Sequence, residues 1–415
     1  MQKRLLIIAT LDTKGRETEF VRDCAQGLGV HPITMDIGTL EKPPFIPDIT
    51  RDDLAQAARA NLHELIAKKD RASAVKAMED GGTILVKQLL HEGRLDGVIG
   101  LGGGTGTAIV SSIMRALPFG LPKVIVSTVA SRDIRQFIGI KDIVMFHSVA
   151  DLLGMNDFIR LILKQASHAV CGMMGGTSSF GNEKPMVAVT AYGINSDVAL
   201  NAEPFLQSIG YEMLGFHANG CGGMAMEELI AEGRIAGVLD FTPHEIADEM
   251  FGGYCRGIGP ARLETAVKVG VPIVFSPGGL DNAVFSPVYP MPDSLKGRRT
   301  HGHDARFCVR MEQGEMEIFA RIVAEKLNKA ENSVHVLIPN KGWSNADKEG
   351  AALFDPAVDE VFTKTLKGLL LPHIPVEEMD AHICEPVFAE RAVEVLHSMI
   401  QQKTLMAGAE HDSRR

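Results

Sequence analysis

Aromatic residues are scarce in this sequence: they make up 6% of its 415 residues and include a single tryptophan. Small aliphatic side chains must therefore fill the core, as they do in parallel sheets covered by helices. No apolar run reaches about 20 residues, which excludes a transmembrane helix. The six cysteines lack CxxC spacing, so we expect neither a zinc site built on cysteines nor a disulfide framework.

Basic charge is not in excess either, because the formal net charge is −10 at pH 7. A nucleic-acid-binding surface needs clustered lysine and arginine, and an anionic membrane surface needs the same. The apolar run at the N-terminus, Leu5–Thr10, is short and is followed by Asp12, so it predicts a first β-strand rather than a signal peptide. We expect a cytoplasmic protein that contacts neither nucleic acid nor membrane.

Short apolar runs of strand length alternate with helical patterns along most of the chain, which is typical of an α/β protein with parallel sheets. We predict two Rossmann-like parallel-sheet domains with helices on both sheet faces. The first spans residues 1–180 and carries an insertion at 39–77, where prolines and a polar helical stretch interrupt the alternation. The second spans residues 181–415 and includes C-terminal helices.

The two halves share sequence echoes that occur in the same order, which indicates an internal duplication. His91–Gly100 resembles Ala231–Asp240, and in both a helix ends at a glycine before a strand begins. The segment 121–127 resembles 271–276, and Pro185–Ala191 resembles Leu5–Leu11. Chance similarity between αβ turns is the alternative, and three echoes in order argue against it.

The most informative segment follows a predicted buried strand and precedes a predicted helix, Thr107–Leu117. It consists of Gly102, Gly103, Gly104, Thr105, Gly106 and Thr107. Glycine lets the backbone approach a ligand closely, and a helix start offers unpaired N–H donors. We therefore expect the segment to bind a phosphate group. The segment is neither a Walker loop nor GxGxxG. A tight packing turn is the structural alternative.

Two other strand ends reach the same predicted crevice, because ligands of open sheets bind beyond the carboxyl ends of the strands. We expect Lys14 to meet a phosphate, and Asp12 a ribose or an ammonium group, beside Thr13. Ser127 and Thr128 close the fourth predicted strand. Capping side chains and a solvated lysine are the structural alternative.

A second glycine loop, residues 217–223, follows a strand and precedes a predicted helix, Met224–Ala231. It contains His217, Asn219, Cys221, Gly222 and Gly223. We assign His217 a catalytic role and expect Asn219, Gly222 and Gly223 to contact a ligand. The loop binds a second anion or faces the first loop across a domain cleft. Cys221 has the position of a nucleophile at a helix start, although small cysteines are common there.

Asp240 ends a strand and Glu245 follows it closely, so both are candidates for acid–base catalysis together with His244. The structural alternative is a capping box between Thr242 and Glu245. His301, His303 and Asp304 lie in a predicted loop. They would bind a metal only with further ligands from other parts of the chain.

Taken together, these motifs resemble a known family, the Tm-one-like ATP-binding proteins, whose plant members include an inhibitor of tobamovirus replication. The resemblance covers about residues 3–402 and rests on 9–15, 102–107, 216–227, 257–263 and 276–281. It implies two Rossmann-like subdomains, nucleotide binding in the N-terminal one, and a homodimer. Some members carry a fused barrel domain, so a separate barrel-type enzyme is an expected partner.

We therefore predict an ATP-binding enzyme, or enzyme component, that acts on a small anionic metabolite in an interdomain cleft. Phosphoryl transfer would require Mg²⁺. The alternative is a non-catalytic binding or regulatory protein that the nucleotide gates. An NAD-linked dehydrogenase fits poorly, because the sequence contains no GxGxxG motif.

Overall fold

The computed structural model describes residues 2–176, 184–302 and 304–412. The chain divides into two compact units, 1–181 and 182–415. The strands of the first unit are β1 (Arg4–Ala9), β2 (His31–Asp36), β3 (Gly97–Gly102), β4 (Lys123–Ser127) and β5 (Val144–His147). Its helices are α1 (Leu11–Gly27), α2 (Arg51–Ala57), α3 (Leu62–Ala67), α4 (Arg71–His91), α5 (Gly104–Arg115), α6 (Arg135–Ile138) and α7 (Asp157–Gly175).

The second unit is larger. Its strands are β6 (Met186–Ala191), β7 (Glu212–His217), β8 (Gly237–Asp240), β9 (Ile273–Phe275), β10 (Asn282–Phe285), β11 (Thr300–Gly302), β12 (Phe307–Arg310), β13 (Val334–Pro339) and β14 (Val376–Met379). Its helices are α8 (Ser196–Ser208), α9 (Cys221–Ala231), α10 (Glu245–Phe251), α11 (Thr265–Lys268), α12 (Gln313–Leu327), α13 (Pro356–Leu369) and α14 (Pro386–Asp412). None of the helices in the described ranges is both long and apolar enough to cross a membrane.

Both large sheets are parallel and share one strand order. The first runs β2-β1-β3-β4-β5, and the second runs β7-β6-β8-β9-β13-β14. When the strands of each parallel sheet are numbered in chain order, both sheets have the order 2-1-3-4-5, and the second sheet has one extra strand at its end. This common order confirms the predicted α/β fold with two parallel sheets, and it is what an internal duplication would produce.

Helices cover both faces of the first sheet, as alternate residues of β1 show. Ile8 packs in one apolar cluster with Met78 of α4, whereas Ile7 packs in another with Val21 of α1. Successive strand residues point to opposite faces. A strand buried on both sides therefore reads as the continuous apolar run seen in the sequence.

The predicted insertion, 39–77, contains α2, α3 and the start of α4. Helix α2 begins with a reciprocal capping box between Thr50 and Asp53, in which each side chain accepts the other residue's backbone N–H. The adjoining Arg51 contacts Asp36 at the end of β2, with 2.8 Å from Nε to Oδ2. The inserted segment is thereby attached to the carboxyl edge of the first sheet.

Three local predictions are wrong. Helices α5 and α9 begin at Gly104 and Cys221, each three residues before its predicted start at Thr107 or Met224. The predicted loop around His301 is strand β11 of a small antiparallel sheet with order β10-β12-β11. Its strands have three or four residues, too few to show a clear alternating pattern. His303, named in the same metal hypothesis, lies outside the described residues.

Candidate functional site

The glycine segment after β3 forms the start of α5. Gly103 is the N-cap residue and has no side chain to accept a hydrogen bond. The first intrahelical bond runs from the N–H of Thr107 to the carbonyl of Gly103 at 2.8 Å. The amides of Gly104, Thr105 and Gly106 precede this bond and have no carbonyl of the helix to donate to. They form a positive end that favours an anion.

Only one of these glycines is required by the fold. A Cβ on Gly102 would lie 2.3 Å from the backbone nitrogen of Thr107. A Cβ on Gly104 would meet nothing within 4 Å, and on Gly103 or Gly106 it would make ordinary contacts of 3.6 Å or more. None of the four has a positive φ. Glycine inside a helix costs about 1 kcal/mol relative to alanine, so its use at 104 and 106 has a reason outside local packing.

Arg71 of the inserted segment lies beside this helix start. Its Nη2 donates to the hydroxyl of Thr105 at 3.3 Å, and both side chains are exposed. The hydroxyls of Thr10 and Thr13 share a hydrogen bond of 2.9 Å at the neighbouring strand end. Sequence reasoning missed Arg71, because 34 residues separate it from Thr105 and no motif links the two.

The other predicted nucleotide ligands of this unit have partners within the protein. Lys14 is buried, and its Nζ donates to the carbonyl of Leu152 at 2.6 Å. Asp12 accepts the N–H of Leu40 at 2.9 Å and lies 4.0 Å from Arg51 Nη2. The two side chains hold neighbouring loops at the edge of the sheet. The structural alternative is therefore wrong as well, because Lys14 is not solvated and no side chain caps α1.

Thr107, Ser127 and Thr128 tie the glycine segment to the adjacent strand end. The buried hydroxyls of Thr107 and Ser127 lie 2.7 Å apart, and the N–H of Thr128 donates to the carbonyl of Gly102 at 3.2 Å. Thr128 stays partly exposed and faces Gly103. The first two side chains position the segment, and Thr128 remains available to a ligand.

The second unit places charged groups where the first has glycines, after the third strand of the domain. Arg262 is fully buried and contacts both carboxylate oxygens of Asp240, one of them at 2.8 Å. Its Nε donates to Glu245 Oε2 at 2.7 Å, and Glu227 lies 3.8 Å from Nη1. Although burial disfavours the charge of Arg262, Asp240 and Glu245 raise its pKa. The two carboxylates predicted to be catalytic are therefore held in a buried ion network.

The capping-box alternative for this segment is wrong. Helix α10 begins at Glu245 with His244 as N-cap, and no side chain caps it. Thr242 instead donates to the carbonyl of Thr190 at 3.3 Å, and Glu245 accepts the N–H of Gly220 at 2.7 Å. Both side chains bind partners in other segments, which sequence spacing does not reveal.

The second glycine loop is explained largely by packing. A Cβ on Gly222 would lie 1.9 Å from the carbonyl oxygen of His217, and a Cβ on Gly223 would lie 2.7 Å from Glu245 Oε2. Asn219 accepts the N–H of Gly222 at 3.1 Å, at the start of α9. These three predicted ligand contacts thus have local structural roles, unlike the open glycines of the first loop.

His217 is exposed, with the ring of Tyr192 5.2 Å from its own. Partial burial and the positive charge of Arg306 lower its pKa, so the imidazole is neutral at pH 7. A neutral, accessible imidazole can accept a proton from a bound molecule. Of the four residues considered for catalysis, which are His217, Asp240, His244 and Glu245, His217 alone is open to solvent.

Comparison with known proteins identifies the family. The N-terminal domain model of the uncharacterised protein family UPF0261 matches residues 3–179, and the C-terminal domain model matches residues 184–400. A UPF0261 protein of Clostridium tetani is 38% identical over 97% of this chain and 100% of its own length. One from Rhizobium meliloti is 34% identical over 94% and 98%.

The sequence is also similar to a plant protein. The tomato ToMV resistance protein Tm-1(GCR237) is 39% identical over 73% of this chain, and the match spans 41% of the tomato protein's length. The predicted relationship to this group is thereby confirmed. The chain belongs to the UPF0261 family and carries both its N-terminal and its C-terminal domain.

Proposed function

We propose that the first unit binds a nucleotide, with ATP as the first candidate, through phosphate contacts to the amides of Gly104, Thr105 and Gly106. The observation that carries this proposal is the use of glycine. Gly104 and Gly106 weaken a helix that has room for a Cβ atom at both positions. A ligand that must approach the backbone closely supplies the missing reason.

The charges around the first glycine segment favour an anionic ligand. Arg71 is exposed and already reaches Thr105, so its guanidinium can pair with phosphate oxygens. The carboxylates at two neighbouring strand ends, Asp12 and Asp36, lie 4.0 and 2.7 Å from Arg51 Nη2, so a cation of the protein offsets their negative charge.

A cavity of about 400 Å³ next to Arg71 can hold the rest of the ligand. Leu40, Leu65, Ile66 and Ala74 form an apolar part of its wall next to Arg71, and Glu41, Lys69 and Asp70 also line it. An apolar wall beside a polar anchor suits a nucleobase joined to phosphates. Mg²⁺ would enter with the triphosphate, as phosphoryl transfer requires.

Replacing Gly104 with valine should reduce ATP affinity by well over tenfold, which corresponds to more than about 1.4 kcal/mol. The new side chain would project into the space that the phosphate needs. Nothing lies within 4 Å of the added Cβ, so the fold should survive. Calorimetric titration with MgATP, together with circular dichroism of the variant, measures both effects.

Gly172→Val on the exposed side of α7 is the matched control, since Gly172 also has open space around it and lies in the same unit. This variant should bind ATP like the wild type. Unchanged ATP affinity in folded Gly104→Val protein would contradict the phosphate role of the segment.

We further propose that the second unit makes the protein an enzyme, or part of one, that acts on a small carboxylate or phosphate beside His217. The neutral imidazole supplies a proton acceptor. Arg306, which is paired with Asp304 at 2.6 Å, would have to contact the anion in addition to that carboxylate. Self-association and a separate barrel-type partner stay predictions.

His217→Ala should abolish binding of small anions to the second unit and leave ATP affinity within a few-fold of the wild-type value. Calorimetric titrations with inorganic phosphate, with succinate and with MgATP test this. His373→Ala is the control, because His373 is also an exposed histidine of the second unit. If His217→Ala weakens ATP binding as severely as Gly104→Val, the two loops form one site and the proposal of two sites fails.

One observation favours the non-catalytic alternative. Asp240 and Glu245 are both paired with Arg262, so neither carboxylate is free to move a proton. Under this alternative the nucleotide regulates binding and is not converted. Chromatography of ATP after long incubation with the protein and small anions separates the two functions, since only an enzyme alters the nucleotide or the anion.

A further inference from the structure

A buried group of three side chains in the second unit takes no part in the proposed function. His244, Asp248 and Cys255 each offer one donor atom, and these atoms all lie within 4.8 Å of one another. We call them the His-Asp-Cys cluster. His244 and Asp248 are four residues apart at the start of α10, which places them on one face of the helix. Cys255 returns to them after the left-handed C-cap at Gly252.

The imidazole of His244 has one nitrogen without a partner. Its Nε2 donates to the carbonyl of Ala218 at 2.7 Å, so the lone pair lies on Nδ1. Nδ1 is buried and has no hydrogen-bond partner among the described residues. The ring is held in place by stacking on Tyr192, with 4.3 Å between centroids. A backbone carbonyl that fixes the tautomer in this way is typical of histidines that bind metals.

The carboxylate of Asp248 is oriented but not saturated. One oxygen accepts the N–H of Cys255 at 2.6 Å, and the other accepts the N–H of Val284 at 2.7 Å. The Cys255 thiol also hydrogen bonds to this carboxylate, and a bound metal ion would replace that contact. A Cβ on Gly253 would lie 2.7 Å from the Asp248 carboxyl carbon, so the backbone closes tightly around this side chain.

We propose that the His-Asp-Cys cluster binds one Zn²⁺ ion through Nδ1 of His244, a carboxylate oxygen of Asp248 and Sγ of Cys255. Imidazole, carboxylate and thiolate together are the ligands of zinc, whereas Mg²⁺ and Ca²⁺ prefer oxygen alone. The hydroxyl of Tyr192, which hydrogen bonds to Cys255, or a water molecule takes the fourth position.

The spacing of the cluster suits such an ion. Zinc bonds of about 2.0 to 2.3 Å place tetrahedral ligands roughly 3.5 Å apart, so the three atoms need to approach by no more than roughly 1.3 Å. The thiol proton is lost to solvent when the zinc–sulfur bond forms. Because all three side chains are buried, the ion enters as the unit folds. The site therefore stabilises α10 and the chain that follows it.

The competing account is a metal-free cluster of neutral side chains, and metal analysis distinguishes the two. Full-length protein produced with zinc in the medium and then dialysed should contain about one zinc per chain by mass spectrometry. After removal of zinc, titration with Co²⁺ should produce sulfur-to-cobalt charge-transfer absorption, which reports a thiolate ligand directly. Folded wild-type protein that holds no zinc and gives no such band would overturn the proposal.

Variants locate the site. Cys255→Ser should remove the cobalt–thiolate band and lower zinc affinity by at least about tenfold. Cys384→Ser should change neither, because Cys384 lies in the turn before α14 and is not a member of the cluster. A band that persists in Cys255→Ser protein would place the metal elsewhere and refute the assignment.

If Cys255→Ser does not fold, the wild-type protein alone decides. Zn²⁺ should protect Cys255 from alkylation by iodoacetamide in mild denaturant, as peptide mass spectrometry shows. Equal labelling with and without the ion would refute the proposal.

Discussion

Replacing Arg262 with methionine should lower the free energy of unfolding of the second unit by about 3–5 kcal/mol. The substitution keeps an apolar stem of similar length but removes the positive charge that Asp240 and Glu245 share. Two fully buried carboxylates would then lack a counter-charge, and Glu227 would lose its nearest cation. Breaking a buried ion network by removing one partner costs far more than a surface pair contributes.

The single tryptophan makes the measurement specific. Trp343 is buried in the second unit, so its fluorescence during urea denaturation follows the unfolding of that unit alone. Arg391→Met is the control within the same unit. Arg391 makes a two-point contact with Glu377, yet its side chain is 41% exposed, and its loss should cost less than about 1 kcal/mol. Similar midpoints for the two variants would show that the buried network is not a major source of stability.

Gly81→Ala should destabilise the first unit by about 2–3 kcal/mol, even though alanine is the better helix former. Gly81 lies in α4, where an added Cβ would sit 1.9 Å from the carbonyl oxygen of Leu54 in α2. The obstacle is backbone, which cannot rotate away as a flexible side chain can. The two helices must separate, and the apolar contacts between them weaken.

Gly172→Ala should have the opposite sign and stabilise the protein by about 0.5–1 kcal/mol. Gly172 lies in α7 with nothing within 4 Å of its Cβ position, so only helix propensity acts. Thermal unfolding followed by circular dichroism measures both variants, and Trp343 fluorescence identifies the transition of the second unit. Stabilisation by Gly81→Ala would show that α2 and α4 pack less closely than described.

The sequence predicted the architecture because parallel strands buried on both faces leave a simple signal. The apolar run at Arg4–Thr10 became β1, Arg4–Ala9, and the ordered echoes matched the common strand order of the two sheets. Helix starts were less predictable. Glycine has low helix propensity, so the first turn of α5, which contains Gly104 and Gly106, read as a loop.

The candidate sites were harder to predict than the fold, because they depend on contacts between residues that are far apart in the sequence. Arg262 lies in one of the segments that carry the family resemblance, but 22 residues from Asp240, and no spacing rule links its guanidinium to that carboxylate. Two carboxylates, Asp240 and Glu245, lie close together in the sequence after an apolar strand. Because buried charges must be paired, this pattern indicates that a buried cation lies near them. Arg71 of the insertion likewise contacts Thr105 of the first glycine segment, and the hydrophobic pattern of the sequence does not predict contacts between residues so far apart in the chain.

The loops after the third strand of each unit have opposite contents, and this difference affects how variants should be interpreted. In the first unit the loop is bare backbone, whereas in the second Arg262 fills the equivalent neighbourhood with an internal counter-ion. If the first loop binds the proposed nucleotide, a damaging substitution there would lower ligand affinity and leave the protein folded. The same kind of change in the second loop would reduce the yield of folded protein. Ligand affinity therefore tests the loop of the first unit, and expression level tests the loop of the second.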